Sequence, residues 1–163
     1  DKNLSPYAFS KSKNLELLEN LKKWFMFKFE VIYFYNVYGP RQIKHGNMAT
    51  VIGIFEDQYS KNKPLTVVKP GSQSRKFTHI DDTVKVCYEA WKKNKCAYYS
   101  IFHKKSYSIL ETAKMFKSKV KLIKARPGER YASSLVKISL NNQIIQRFGK
   151  INLKDYISSF IKG

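Results

Sequence analysis

Three observations predict an α/β fold for this sequence. Segments with apolar residues at helical spacing alternate with short runs of β-branched and aromatic residues. Gly39-Pro40, Pro70-Gly71 and Pro127-Gly128 fall between those segments, where loops belong. No internal repeat, linker or low-complexity block interrupts the alternation. The 163 residues, 43% hydrophobic and 15% aromatic, suffice for one core and are too few for two comfortable domains.

The first helix should run from Pro6 to about Phe27. Ser5 is a good N-cap and Pro6 fits the first helical position. Leu17, Leu18, Leu21, Trp24 and Phe25 form an apolar stripe with the spacing of a core-facing side. Glu30 to Tyr35, aromatic and β-branched without helical period, reads as a buried strand, and Asn36 to Gln42 as the loop leaving it. Met48, Val51, Ile52, Phe55 and Tyr59 mark a second helix. Leu65 to Val68 and Phe77 to Ile80 are short strands, the second followed by a helix capped by Asp81 and carrying Val84, Cys87, Tyr88 and Trp91.

Ala97 to Phe102 is strand-like. Ser108 with Glu111 makes a capping box for a helix to about Phe116. Val120 to Lys124 is a further strand, followed by the Arg126-Pro127-Gly128 loop. Two helices then finish the chain, the last capped by Asn152 and lined by Leu153, Tyr156, Ile157 and Phe160.

Composition narrows the function classes. The net charge of +19 invites a nucleic-acid reading, but the excess is nearly all Lys, scattered along every expected helix. Arg, the planar fork that grips phosphate, occurs only at 41, 75, 126, 130 and 147. Cys87 and Cys96 have no metal or redox spacing and read as small buried side chains in a reducing compartment; no metal site is expected. No apolar run approaches the roughly 20 residues that span a bilayer, and there is no signal-peptide pattern, so a cytoplasmic location without a membrane partner is expected. The chain opens on Asp1 without Met, so its gene is expected to begin further upstream.

Tyr7 and Lys11 are four apart and share one face of the first helix. An ammonium beside a phenol favours phenolate, which is how a Tyr serves as a base near neutral pH. The spacing alone is not specific, since Tyr59/Lys63 and Tyr88/Lys92 share it. A first-turn Tyr packed on a core beside a solvated Lys would look the same.

The order of the motifs along the chain carries more. After Pro6-Tyr7-Ala8-Phe9-Ser10-Lys11 come Asn36-Val37-Tyr38-Gly39-Pro40-Arg41, then Arg75-Lys76-Phe77-Thr78-His79-Ile80-Asp81-Asp82, then Arg126-Pro127-Gly128-Glu129. That series resembles the extended short-chain dehydrogenase/reductases, specifically the NAD-dependent nucleotide-sugar epimerases and dehydratases. It runs over nearly the whole chain and covers the second half of such an enzyme. The resemblance implies the C-terminal part of a Rossmann-like fold with its small substrate-binding α/β domain. Residues 1–163 would be a single module in which the end of the Rossmann-like domain interleaves with the nucleotide-sugar-binding domain.

By the same resemblance, Tyr7 would exchange a proton with a sugar hydroxyl. Lys11 would lower its pKa and, with Tyr7, hold the nicotinamide ribose of NAD or NADP. Asn36, Arg75 and Arg126 would bind a nucleoside diphosphate sugar, the two arginines at the diphosphate. Asp81 and Asp82 look like an acid pair, but helix capping accounts for them. Departures from the family pattern are Tyr33 for Arg, Lys69-Pro70-Gly71 for Gly-Asp-Gly, Arg75-Lys76-Phe77 for Arg-Asp-Phe, and Ser100-Ile101-Phe102 for Asn-Ile-Gly.

The glycines at 39, 46, 53, 71, 128, 149 and 163 include no pair close enough for a Gly-rich dinucleotide loop. The N-terminal dinucleotide-binding half is therefore expected to be absent, or on another chain. The uncovered sheet edge and apolar face it would leave favour self-association, so a homo-oligomer is expected. Three functions remain open on the sequence alone. They are part of a nucleotide-sugar epimerase or dehydratase, a non-catalytic sugar-nucleotide-binding remnant of that family, and a basic nucleic-acid-binding module.

Overall fold

The computed structural model describes residues 5–124 and 144–163. In chain order the elements are α1 (Pro6–Phe25), β1 (Val31–Phe34), β2 (Asn36–Tyr38), α2 (Val51–Ser60), β3 (Leu65–Val68), β4 (Ser74–His79), α3 (Ile80–Lys93), β5 (Tyr98–Phe102), β6 (Ser106–Ser108), α4 (Ile109–Met115), β7 (Val120–Ile123), β8 (Ile144–Phe148) and α5 (Leu153–Lys162). The strands form three small sheets: β1-β5-β8, all parallel; β2-β4-β6, parallel then antiparallel; and the parallel pair β3-β7. This is the expected α/β alternation.

The run expected as one buried strand followed by a loop is two strands separated by Tyr35. Val31–Phe34 pairs with β5, whereas Asn36–Tyr38 pairs with β4, with Asn36 opposite Phe77. Asn36–Tyr38 is therefore a strand rather than a loop, held by Tyr38, which is 1% exposed. The chain thus changes sheets at Tyr35 and delivers Asn36 to the edge of the second one.

The main core gathers Tyr38, Ile52, Phe55, Leu65, Val67, Phe77, Phe116, Leu153 and Ile157 between the second and third sheets and helices α2, α4 and α5. A smaller one places Val86 and Ala90 of α3 on Tyr99 and Ile101 of β5. Here the expectation for α3 is corrected. Val84, Tyr88 and Trp91 face solvent, and Thr83, Val86 and Ala90 are buried. Small side chains let the helix approach the sheet closely, and the bulky aromatic face is left outside.

Two caps also differ from expectation. Helix α3 is capped by His79, whose Nδ1 accepts from Asp81 N at 3.2 Å, and not by Asp81. Helix α2 begins at Val51, capped by Thr50, with Met48 outside it and exposed. The capping box at Ser108/Glu111 and the Asn152 cap are as expected. Between the Arg126 loop and Asn152 a helix is expected, but Ile144–Phe148 is a strand beside β5; the rest of that stretch lies outside the described residues.

Helix α1 starts as expected, with Ser5 Oγ accepting from Ala8 N at 3.1 Å, and ends at Met26 in the left-handed conformation. Its stripe does not face a core. No residue of α1 is buried, and Leu17, Trp24 and Phe25 are all exposed. Leu18 and Leu21 of the stripe are only half-buried.

Asp82 has a role beyond the helix terminus. Its Oδ2 accepts from both Lys150 N and Ile151 N at 2.9 Å, tying the turn between β8 and α5 to α3. Asp82→Ala should therefore lower stability by roughly 1.5–3 kcal/mol, the usual range for hydrogen bonds to a charged group. Denaturant melts of the two proteins check this.

Candidate functional site

A cleft of about 430 Å³ opens where the second and third sheets meet the start of α2. Asn36 of β2 and Arg75 of β4 both line it, so two residues 39 positions apart converge on one cavity. Asn36 is positioned by its own side chain, Nδ2 donating to Lys76 O at 3.0 Å. Arg75 donates from Nη1 to Ser74 O at 3.1 Å. Side chains alternate along a strand, so Arg75 and Phe77 of β4 share one face, and both line the cleft together with Gln73, the residue just before the strand. No acidic residue is among the described residues that line the cleft.

The opposite wall is the first turn of α2, fixed from behind. Thr50 Oγ1 accepts from Gly53 N at 3.0 Å and donates to Gln42 Oε1 at 2.8 Å. Gln42 Nε2 in turn donates to Glu56 Oε1 at 2.8 Å. Glu56 is only 3% exposed, and its charge is met by Tyr156 O–H at 2.7 Å and by Lys44 Nζ at 3.3 Å. Burial, together with the hydrogen bond to Glu56, pushes the Tyr156 phenol well above its usual range. The segment from Gln42 to Thr50 is thereby anchored to α2 and α5, which holds the wall in place.

Tyr7 and Lys11 stand elsewhere. They share a face of α1 as their spacing predicts, with Lys11 Nζ 5.7 Å from the Tyr7 ring centroid. Tyr7 is 69% exposed, and neither residue lines the cleft. Arg126 lies outside the described residues. The structure therefore brings together Asn36 and Arg75 and leaves the Tyr7/Lys11 pair on an exposed face of α1.

Two of the sequence's departures compensate each other. Lys76 Nζ sits 3.7 Å from the ring centroid of Phe102, so the Lys in Arg75-Lys76-Phe77 rests on the Phe in Ser100-Ile101-Phe102. Tyr33, a third departure, stacks on Tyr98 at 6.4 Å. Sequence reading missed Gln73 and Thr50. A Thr directly before the apolar period of α2 was the signal that could have found Thr50, and Gln73 stands just before β4 with no comparable signal.

Residues 1–101 match the model of the NAD dependent epimerase/dehydratase family. The chain belongs to that family. Over 82 residues it is 38% identical to the uncharacterized UDP-glucose epimerase YtcB of Bacillus subtilis (strain 168), a match covering 50% of this chain and 25% of that protein. Among solved structures it resembles the UDP-glucose 4-epimerase of Thermotoga maritima, determined with UDP-glucose. The TM-score is 0.81 and the identity 23%, over 97% of this chain and 52% of that one. The UDP-glucuronic acid 4-epimerase of Bacillus cereus, in complex with UDP-glucuronic acid and NAD, gives 0.75 and 26% over 98% and 53%. A dTDP-glucose 4,6-dehydratase of Streptomyces venezuelae with NAD bound gives 0.75 and 17% over 97% and 50%. This family member thus spans about half the length of these solved relatives. No helix among the described residues is long and apolar enough to cross a membrane.

Proposed function

We propose that this chain is the nucleotide-sugar-binding half of an NAD-dependent epimerase or dehydratase. The observation that carries the reading is the convergence of Asn36 and Arg75 on one cleft without an acidic residue among its described lining. A guanidinium fork and a neutral amide donor both suit a diphosphate, and Arg75 and Asn36 bring these groups to the cleft. Arg126 would add a second cation.

For the cofactor, the residues that fit are Tyr7 and Lys11. They lie on one exposed helical face, where a ribose can be hydrogen-bonded by the phenol and the ammonium. NAD, when bound, supplies hydride acceptance and return at a sugar carbon. Tyr7 would take the hydroxyl proton at that carbon, with Lys11 holding the phenolate charge. No Gly-rich turn for the pyrophosphate occurs in these 163 residues. We take that dinucleotide-binding half to be supplied from outside them and to cover α1, in an oligomer of cytoplasmic location.

A non-catalytic, sugar-nucleotide-binding member is the second reading, favoured by Lys76 and Phe102 standing where the family pattern has Asp and Gly. Both readings share the cleft and are tested first by calorimetry on this chain. UDP-glucose should bind weakly and NAD should show no specific site. Tight, salt-insensitive NAD binding by this chain would overturn the division of labour.

A further inference from the structure

Lys23 to Lys28 are consecutive exposed residues, and Trp24, Phe25, Met26 and Phe27 among them are large and apolar. They form a tip where α1 ends. Met26 takes the left-handed conformation that helix ends usually give to glycine, and it is 84% exposed. Trp24 meets Phe25 edge-on and Phe27 stacks on Phe29, so these rings cluster instead of standing singly.

Helix α3 brings a second part to the same place. A cavity of about 460 Å³ is lined by Lys28 and Phe29 from one side and by Cys87, Trp91 and Asn94 from the other. Trp91 therefore stands beside the tip; it is 72% exposed and lies 5.8 Å from the exposed ring of Tyr88. The charge here has one sign. Lys22, Lys23 and Lys28 flank the apolar tip, and Lys92, Lys93 and Lys95 follow Trp91, with no acidic residue in 22–29 or 91–96. Glu30 also lines the cavity, but its carboxylate is occupied, accepting from Cys96 N at 2.9 Å and Ala97 N at 2.7 Å.

An exposed apolar tip flanked by cations is complementary to an anionic layer with an apolar one beneath it. Indole rings suit that boundary, and lysine stems can lie along apolar chains while their ammonium groups stay with the phosphates. Nucleic acid fits less well. Met26 offers no face for base stacking, and Arg, the fork that grips phosphate, is absent from both segments.

We propose that the tip and the Trp91 end of α3 seat the protein on an anionic lipid surface. The apolar side chains enter the headgroup layer and the lysines meet the lipid anions. The expectation of no membrane partner rests on the lack of a spanning run, which a peripheral contact does not require. The tip leads into the amino end of β1, whereas Asn36 follows its carboxyl end, so the seated protein keeps its cleft open to solution. Tyr7 and Lys11 lie about 20 Å or more along α1 from the tip by helical rise, so a cofactor half seated there leaves the tip free.

The test sediments the full chain with vesicles of phosphatidylcholine alone and of phosphatidylcholine with equal phosphatidylserine. Binding should require phosphatidylserine and fall as salt rises. Trp24 and Trp91 are the only tryptophans of the chain, so its emission should shift to shorter wavelength on binding. Phe25→Ser with Met26→Ser should weaken binding by about tenfold or more. Lys23→Glu with Lys28→Glu keeps the apolar tip and should weaken binding similarly at low salt and far less at high salt. Phe34→Ser, at an exposed ring on the edge strand β1, should change nothing. No binding to the mixed vesicles, binding without the tryptophan shift, or an equal loss in Phe34→Ser would overturn the proposal. Tip variants that break up a self-associated form and leave vesicle binding intact would overturn it too, assigning the tip to a second copy. Polyuridylate binding that the Phe25/Met26 double variant abolishes, with vesicles left unbound, would assign the surface to nucleic acid instead.

Discussion

Tyr7→Phe should lower turnover of the complete enzyme by about 10²–10⁴-fold while leaving nucleotide-sugar affinity nearly unchanged. The phenol contributes a proton-transfer group, and its removal leaves the ring, the helix and the cleft in place. Tyr7 lies outside the lining of that cleft and is largely exposed, so neither nucleotide-sugar binding nor folding gives the substitution another route to an effect, and saturating NAD covers the loss of the ribose contact. Single-turnover kinetics with the two halves combined, together with equilibrium binding of UDP-glucose, separate the two quantities. Unchanged turnover would remove Tyr7 from the reaction, whereas no turnover in the parent would leave the non-catalytic reading standing.

The second large effect is expected at Arg75. Arg75→Ala should weaken UDP-glucose by roughly ten- to a hundredfold, since a charge-assisted hydrogen bond is worth about 1.5–3 kcal/mol. The net charge of +19 attracts any anion at long range, so loss of affinity alone does not identify a contact. Lys154→Ala, an exposed lysine away from the cleft lining, is the control. Its effect should be small and should vanish as salt is raised, whereas the Arg75 effect should persist. Equal losses in the two variants would reduce the Arg75 contribution to general electrostatics.

Much of the fold was legible because local chemistry decides it. Ser5-Pro6, the Ser108/Glu111 box and Asn152 start their helices as their side chains dictate, and Leu65–Val68 has the strand bounds its composition predicts. The boundaries that were missed are those settled by a partner strand or a facing layer. Asn36–Tyr38 is a strand because β4 lies beside it, and Ile144–Phe148 because β5 does. Periodicity marks α3 as two-sided, and only the sheet beneath it selects Thr83, Val86 and Ala90 over Val84, Tyr88 and Trp91.

For the site, the sequence by itself determined which residues to look at: Asn36 and Arg75, and the shared helical face of Tyr7 and Lys11. These come from residue type, order and a fixed 3.6-residue turn, all of which are local. The tertiary structure decided that Asn36 and Arg75 meet, because a parallel ladder between β2 and β4 is a long-range pairing that no spacing encodes. It also decided that Gln73 belongs with them, and that the α1 stripe, read as core-facing, has no buried residue. Burial depends on what lies opposite a side chain, and what lies opposite is a property of the assembled fold.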